Sequence, residues 1–172
     1  MQSPPPTLPT FSTMNNVQLE HALLADKFTR PYFQGIYPAN GLPKEPVPWP
    51  SAFVVTAKSI PSFFINHWIG IYITPDGEGE VFDSLGHPPR HPMLQDFLRR
   101  NTTRIVYNRV QIQGSQSSVC GQHVLYFLLQ RCRGFHPEYI VRSFCPDHDL
   151  NDAFVEDFAQ PLLLPPSNSL FL

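Results

Sequence analysis

Four residues of this sequence have the chemistry of a nucleophilic centre: His67, Asp83, Gln113 and Cys120. Cys120 ends a small, polar run, Gln113-Gly114-Ser115-Gln116-Ser117-Ser118-Val119. Gly121-Gln122-His123 and six apolar residues, Val124 to Leu129, follow it. The Ser/Gly punctuation reads as a loop and the apolar run as a helix buried on most of its surface. Cys120 is therefore expected at or near a helix N-terminus. The partial positive charge there favours a thiolate, the form in which cysteine attacks. A lone cysteine before an apolar helix is more often a small buried hydrophobe, so the inference depends on what the rest of the chain brings to it.

A nucleophilic cysteine needs a base for its proton and a third group to orient that base. His67 lies within Asn66-His67-Trp68-Ile69-Gly70-Ile71, a β-branched and aromatic run, and Asp83 ends the next apolar run, Val81-Phe82-Asp83-Ser84. Thr74-Pro75-Asp76-Gly77-Glu78 joins them. Pro75 and Asp76 suit a type I turn and Gly77 the left-handed residue that completes a three-residue hairpin loop. That loop sets Thr74 opposite Glu78, His67 opposite Leu85 and Asp83 opposite Ile69. His67 and Asp83 then share a face on a diagonal of roughly 7–8 Å, within reach of their side chains. A two- or four-residue loop would put them on opposite faces. Gln113 would donate its side-chain N–H to a developing oxyanion beside the backbone N–H of Cys120.

The elements that must hold these residues follow from pattern. Residues 1–13, rich in Pro, Ser and Thr, read as a flexible arm, with a single domain over 14–172. Asn15 or Asn16 caps a short amphipathic helix carrying Val17, Leu19, Leu23, Leu24 and Phe28. Residues 31–38 read as a packed aromatic loop and 42–50, with four prolines, as an extended connection. Strands are expected at 52–56, 63–74 and 80–84, then one more from 105–107 and 110–112 together, leading into the Gln113 loop. Helices are expected at 91–100, with Pro92 in the first turn, after Cys120, and at 137–144 and 151–159. Pro137 supplies one start signal, and Asp149 or Asn151 the other.

Composition bounds the class. Hydrophobic residues at 42% and charged residues at 15% make a globular chain of 172 residues. A net charge of -2 argues against a broad nucleic-acid surface. No stretch approaches a membrane span, and the N-terminus lacks the apolar core of a signal peptide. Three sparsely placed cysteines make no disulfide framework, which points to an intracellular, reducing setting.

The ordered set of motifs resembles the adenovirus-type cysteine proteases (adenain), relatives of the SUMO-specific proteases. It looks closest to copies encoded by Maverick/Polinton mobile elements and related large DNA viruses. The resemblance rests on Pro31-Tyr32-Phe33-x-Gly35-x-Tyr37, His67-Trp68, Phe82-Asp83-Ser84, Gln113 seven residues before Cys120-Gly121, and Tyr126 to Gly134. It implies a cysteine endopeptidase with Cys120 as nucleophile, His67 as general base, Asp83 as its orienting acid and Gln113 as oxyanion donor. Trp68 and Gly121 become the substrate-binding positions, and the substrate a viral or mobile-element precursor protein cleaved during particle maturation. The implied fold is α+β, distantly papain-like: a small mixed sheet packed against a central helix with the cysteine at its N-terminus. Such a protein would act as a monomer in cytoplasm or nucleus, or packaged in a virus-like particle. No cofactor is required on sequence grounds; a peptide or DNA activator enters by resemblance only. Adenain joins its activating peptide through a further cysteine, and residues 1–119 here contain none. The third triad residue is Asp, as in the SUMO-protease branch, where adenovirus enzymes commonly carry Glu.

Three alternatives use parts of the same pattern. A protease removing a ubiquitin-like modifier would use the same residues on another substrate. A silent binding module would keep the fold without turnover. Cys120-x-x-His123, Cys132-x-x-x-His136 and Cys145-x-x-His148 have roughly zinc-like spacing, but a metal site there leaves His67, Asp83 and Gln113 unexplained and sets a zinc loop on an apolar helix. No metal is expected.

Overall fold

A computed structural model describes residues 13–57 and 67–163. The architecture is α+β. Five strands, β1 (Phe33–Pro38), β2 (Ser51–Ala57), β3 (His67–Ile73), β4 (Glu78–Phe82) and β5 (Arg104–Tyr107), form one sheet in chain order. The outer pairs, β1–β2 and β4–β5, are parallel, while β2–β3 and β3–β4 are antiparallel. Among the described residues five α-helices, α1 (Asn16–Ala25), α2 (Pro92–Asn101), α3 (Cys120–Cys132), α4 (Pro137–Arg142) and α5 (His148–Leu163), and a single 3-10 turn, Ala39–Gly41, complete the fold.

Side-chain alternation along the central strands explains the layering. Trp68 and Tyr72 of β3, with Ala52 and Val54 of β2, pack into a core with Val124, Leu125, Phe127 and Leu128 of α3 and with α1 and α5. Ile69, Ile71 and Ile73 face the opposite way and meet Leu94, Phe97 and Leu98 of α2. Covered on both faces, β3 is buried from end to end, and its sequence is correspondingly apolar after His67.

Helix α3 is seated by contact rather than by capping. Val119 precedes it without a side-chain cap, a loss of about 1 kcal/mol. Val124, Leu125 and Leu128 are fully buried, each contributing about 1.5–3 kcal/mol, so packing wins easily. Gly70 gives α3 its seat, since a Cβ there would lie 3.3 Å from Val124 Cγ1. Phe127 stacks on Phe82 with ring centroids 4.4 Å apart and planes within 5°, which registers the helix against the last residue of β4. Arg131 and Glu80 add a paired contact, Nε to Oε2 at 2.6 Å and Nη2 to Oε1 at 3.0 Å.

Several sequence expectations change. Residues 33–38 are a strand, not a loop: Gly35 takes φ +131° at a register shift against β2, and Pro38 closes an edge strand where its missing N–H costs nothing. In α1 the buried side is Leu19, Ala22 and Leu23, whereas Val17 and Leu24 are exposed and Phe28 lies beyond the helix. The strand expected at 110–112 is absent. The side chain of Asn108 pairs with the backbone of Asp83, and Ile112 and Gln113 both donate to Ser84 O, so the chain crosses the end of β4 instead of extending β5. Helix α5 begins at His148, with Asp147 Oδ1 accepting from Asp149 N and Leu150 N. The start signals assigned to Asp149 and Asn151 belong to Asp147. The arm expected over 1–13 and the strand start expected at 63–66 fall, apart from residue 13, outside the described residues.

Candidate active site

The loop Thr74–Glu78 closes as its sequence implies: Thr74 N donates to Glu78 O at 2.9 Å and Gly77 N to Thr74 O at 3.0 Å, with Gly77 at φ +86°. The hairpin register follows, Ile73 opposite Gly79 and Gly70 opposite Phe82. This sets His67, the first residue of β3, beside Asp83, the residue after β4. His67 Nε2 lies 2.7 Å from Asp83 Oδ1, both side chains being almost wholly buried.

Asp83 is itself held. Its Oδ1 also accepts the Leu85 N–H at 2.8 Å, and its Oδ2 lies 3.7 Å from Nδ1 of the exposed His87. Its backbone is gripped by Asn108, whose Oδ1 accepts the Asp83 N–H at 2.8 Å and whose Nδ2 donates to Asp83 O at 2.6 Å. The amide thus imitates one more rung of a strand ladder.

Cys120 opens α3 and is 7% exposed. It makes a side-chain hydrogen bond with His67; with Nε2 given to Asp83, Nδ1 is the ring nitrogen left for the thiol. Burial works against charge on His67, but the hydrogen bonds to Asp83 and Cys120 outweigh it and raise the imidazole from 6.5 to about 10. His67 therefore carries a proton at neutral pH.

Gln113 is held at both ends. Ser84 Oγ donates to its Oε1 at 2.5 Å, and its Nε2 donates to Ser117 O at 3.0 Å and lies 3.1 Å from Ser117 Oγ. The oxygen end is tied to the hairpin and the nitrogen end is turned toward the loop that delivers Cys120. Gln113 and Ser84 are buried. The structure thus gathers His67, Asp83, Gln113 and Cys120 at one end of the sheet, where β3 begins, β4 ends and α3 begins.

Trp68 and Gly121 meet each other. A Cβ on Gly121 would lie 2.0 Å from Trp68 Cζ3 and 2.2 Å from Cε3, so the edge of the indole six-membered ring takes the space beside the glycine directly after the nucleophile. Trp68 is 6% exposed.

The zinc-like spacings do not converge: among the described residues no group of three His, Cys, Asp or Glu side chains is placed to hold a metal ion. His123 turns to Asp152, and burial pushes the Cys132 thiol up to about 11. No helix among the described residues is long and apolar enough to cross a membrane.

Sequence reasoning missed three residues that organise this end of the sheet. Asn108, between the runs Ile105–Tyr107 and Val110–Ile112, reads as a strand interruption, and that interruption was its signal. Ser84 was noted only as part of a motif. Asp152 carried no signal, because its partners lie 29 and 38 positions away.

No protein family and no curated protein matches the sequence. Among solved structures, an ASFV protease is similar over 61% of this chain and 43% of its own, at 19% identity and a TM-score of 0.42; the chain spans less than half of that protein's length. ChlaDub1 from Chlamydia trachomatis is similar over 88% of this chain and 80% of its own, at 16% identity and a TM-score of 0.47. The Chlamydia trachomatis effector Cdu1, solved bound to ubiquitin, covers the same shares at 16% identity and a TM-score of 0.49. At these values the likeness assigns no residue a role and no substrate, so the chemistry rests on the side chains themselves.

Proposed function

We propose that residues 14–172 form a cysteine peptidase domain that hydrolyses peptide bonds. One observation carries the reading: the single imidazole of His67 is bonded to a buried carboxylate, Asp83, and to Cys120, which opens a helix.

Cys120 Sγ, its proton held by His67, attacks the carbonyl carbon of the substrate, and the carbonyl electrons move onto oxygen. The Cys120 backbone N–H stabilises that oxyanion, joined by Gln113 Nε2 once one of its two N–H groups turns from Ser117 to the substrate oxygen. On collapse the C–N bond breaks and His67 gives its proton to the leaving amine. Water then attacks the thioester, losing a proton to His67, and Cys120 Sγ departs. Asp83 keeps Nε2 of His67 occupied so that Nδ1 faces the sulfur. Trp68, its ring edge against Gly121, packs beneath the start of α3 and fixes where Cys120 is presented.

The finer reading follows from the motif resemblance: an endopeptidase, acting as a monomer without cofactor, on viral or mobile-element precursor proteins inside the cell. A ubiquitin-like modifier as substrate would use the same residues, and the ubiquitin seen with Cdu1 makes ubiquitin a natural member of the substrate panel.

The test is labelling near neutral pH with thiol-directed peptide probes ending in Gly-Gly or Gly-x, followed by mass mapping. Rapid modification confined to Cys120, and lost in His67→Ala, is the expected result. Slow, equal labelling of Cys120, Cys132 and Cys145, with and without added peptide and DNA, refutes an activated nucleophile. Cleavage of precursor peptides against ubiquitin fusions then decides the substrate.

A further inference from the structure

A second carboxylate reaches the loop that carries Gln113. Asp152, in the second turn of α5, is fully buried, as is His123. Its Oδ1 lies 2.8 Å from His123 Nε2 and its Oδ2 accepts the Gly114 N–H at 3.0 Å. Gly114 directly follows Gln113, and His123 lies one turn of α3 beyond Cys120. One side chain therefore ties the neighbour of the expected oxyanion donor to the helix that begins at the nucleophile.

The adjacent residue works on the other side of Gln113. Asn151 Nδ2 donates to Ile112 O at 3.0 Å and to Cys145 O at 2.8 Å. Both flanks of Gln113 are thus pinned by α5, with no side chain of α5 contributing to the reacting groups. The fit at Gly114 is close: a Cβ there would lie 2.9 Å from Asp152 Oδ2. Carboxylate and backbone could not approach this way if residue 114 carried any side chain.

An apolar contact would join α3 to α5 without the desolvation cost of a buried carboxylate. What a carboxylate adds is two acceptor oxygens fixed relative to each other, one for each element. We propose that Asp152 is a positioning residue for the oxyanion step, holding the Gln113 loop against α3 so that the Gln113 amide and the Cys120 N–H converge on one point. This rests on the peptidase reading above.

The role separates from simple support by chemistry. Iodoacetamide alkylates Cys120 by forming an S–C bond as iodide leaves, with no oxyanion. Peptide hydrolysis and binding of a peptide aldehyde both place an oxygen in the hole. Asp152→Ala is expected to lower kcat and aldehyde affinity by about 10- to 100-fold, the scale of a small misplacement at a reacting centre. KM and the Cys120 alkylation rate should stay within about 3-fold. Asp152→Asn retains an oxygen for Gly114 N–H and an N–H for His123 Nε2 in its other tautomer, so it should recover most of the loss. Gly114→Ala, which pushes loop and carboxylate apart while leaving His123 and Asp152 intact, should reproduce the kcat loss, and it carries the test if Asp152→Ala does not fold. Alkylation falling in parallel with kcat, or kcat unchanged in both Asp152→Ala and Gly114→Ala, overturns the proposal. Failure of the peptidase reading looks different: the wild-type protein itself then neither hydrolyses peptides nor alkylates selectively at Cys120.

Discussion

Among the described residues two buried His–Asp pairs have nearly the same length, His67–Asp83 at 2.7 Å and His123–Asp152 at 2.8 Å. They behave in opposite ways. Burial is the leading influence on both imidazoles and pushes both down. At His67 the hydrogen bonds to Asp83 and Cys120 overcome it and raise the ring to about 10. At His123, Asp152 alone does not overcome burial, His148 adds to the lowering, and the ring falls below 6.5. The second nitrogen of His123 has no hydrogen-bond partner among the described residues, whereas the ring of His67 serves both Asp83 and Cys120. A His–Asp bond is thus no signature of a general base. What distinguishes the first pair is its third member.

The largest test of that contrast is removal of each member. Cys120→Ala and His67→Ala should each lower kcat/KM by about 10⁴-fold or more in a peptide-hydrolysis assay. His123→Gln should lose at most about 10-fold while melting at a lower temperature. If His123→Gln silenced the protein and His67→Ala did not, the two pairs would have to exchange roles. Asp83→Asn comes next, at about 10²-fold, because the asparagine oxygen can still accept from Leu85 N while the His67 contact loses its charge.

The same contrast marks what could be read in the sequence. The pair built on a hairpin was legible, because the Pro75-Asp76-Gly77 turn fixes a register and register fixes which side chains share a face. Cys120 at the start of α3 was legible from the loop-to-apolar transition. The His123–Asp152 pair was not, since it depends on how α3 and α5 cross, and no local pattern encodes that. The strand at 33–38 was misread because Gly35 and Pro38 look like breakers until β2 supplies a parallel partner. The missing strand at 110–112 turns on the side chain of Asn108: the break between the two apolar runs marks the residue, but nothing local names Asp83, 25 positions away, as its partner.

Titration sharpens the comparison with opposite signs. His67 binds its proton more tightly folded than unfolded, so its contribution to stability is fully present below pH 6.5 and is lost as pH rises toward about 10. His123 binds its proton less tightly folded, so its penalty is absent above pH 6.5 and grows as pH falls below that value. Urea midpoints of the wild-type protein against His67→Gln and against His123→Gln should therefore change with pH on opposite sides of 6.5. The first difference should shrink on the alkaline side and the second on going from acid to neutral pH. In the activity profile, the alkaline limb governed by His67 should fall near pH 10; a limb near pH 7 would mean that Cys120 and Asp83 do not hold the imidazole charged.

The smallest expected effect asks whether the first pair depends on its platform as well as on its members. Asn108→Ala removes the two side-chain hydrogen bonds to the Asp83 backbone, leaves the Gly86 N–H on Asp83 O in place, and touches neither His67 nor Cys120. Asn108 is half-buried, so water can replace part of what is lost, and the cost should be about 1–2 kcal/mol, or a Tm lower by about 3–6 °C. If the amide acts only as a strand cap, kcat should follow the folded fraction and be unchanged at temperatures where the variant is fully folded. If it aims Asp83, kcat should drop by several-fold in fully folded protein, less than in Asp83→Asn, and the alkaline limb should move down because His67 is less firmly held. The crossed arrangement of the two amide contacts, one on the N–H and one on the C=O of the same residue, leaves the Asp83 backbone little freedom to turn, and the second outcome is the one expected.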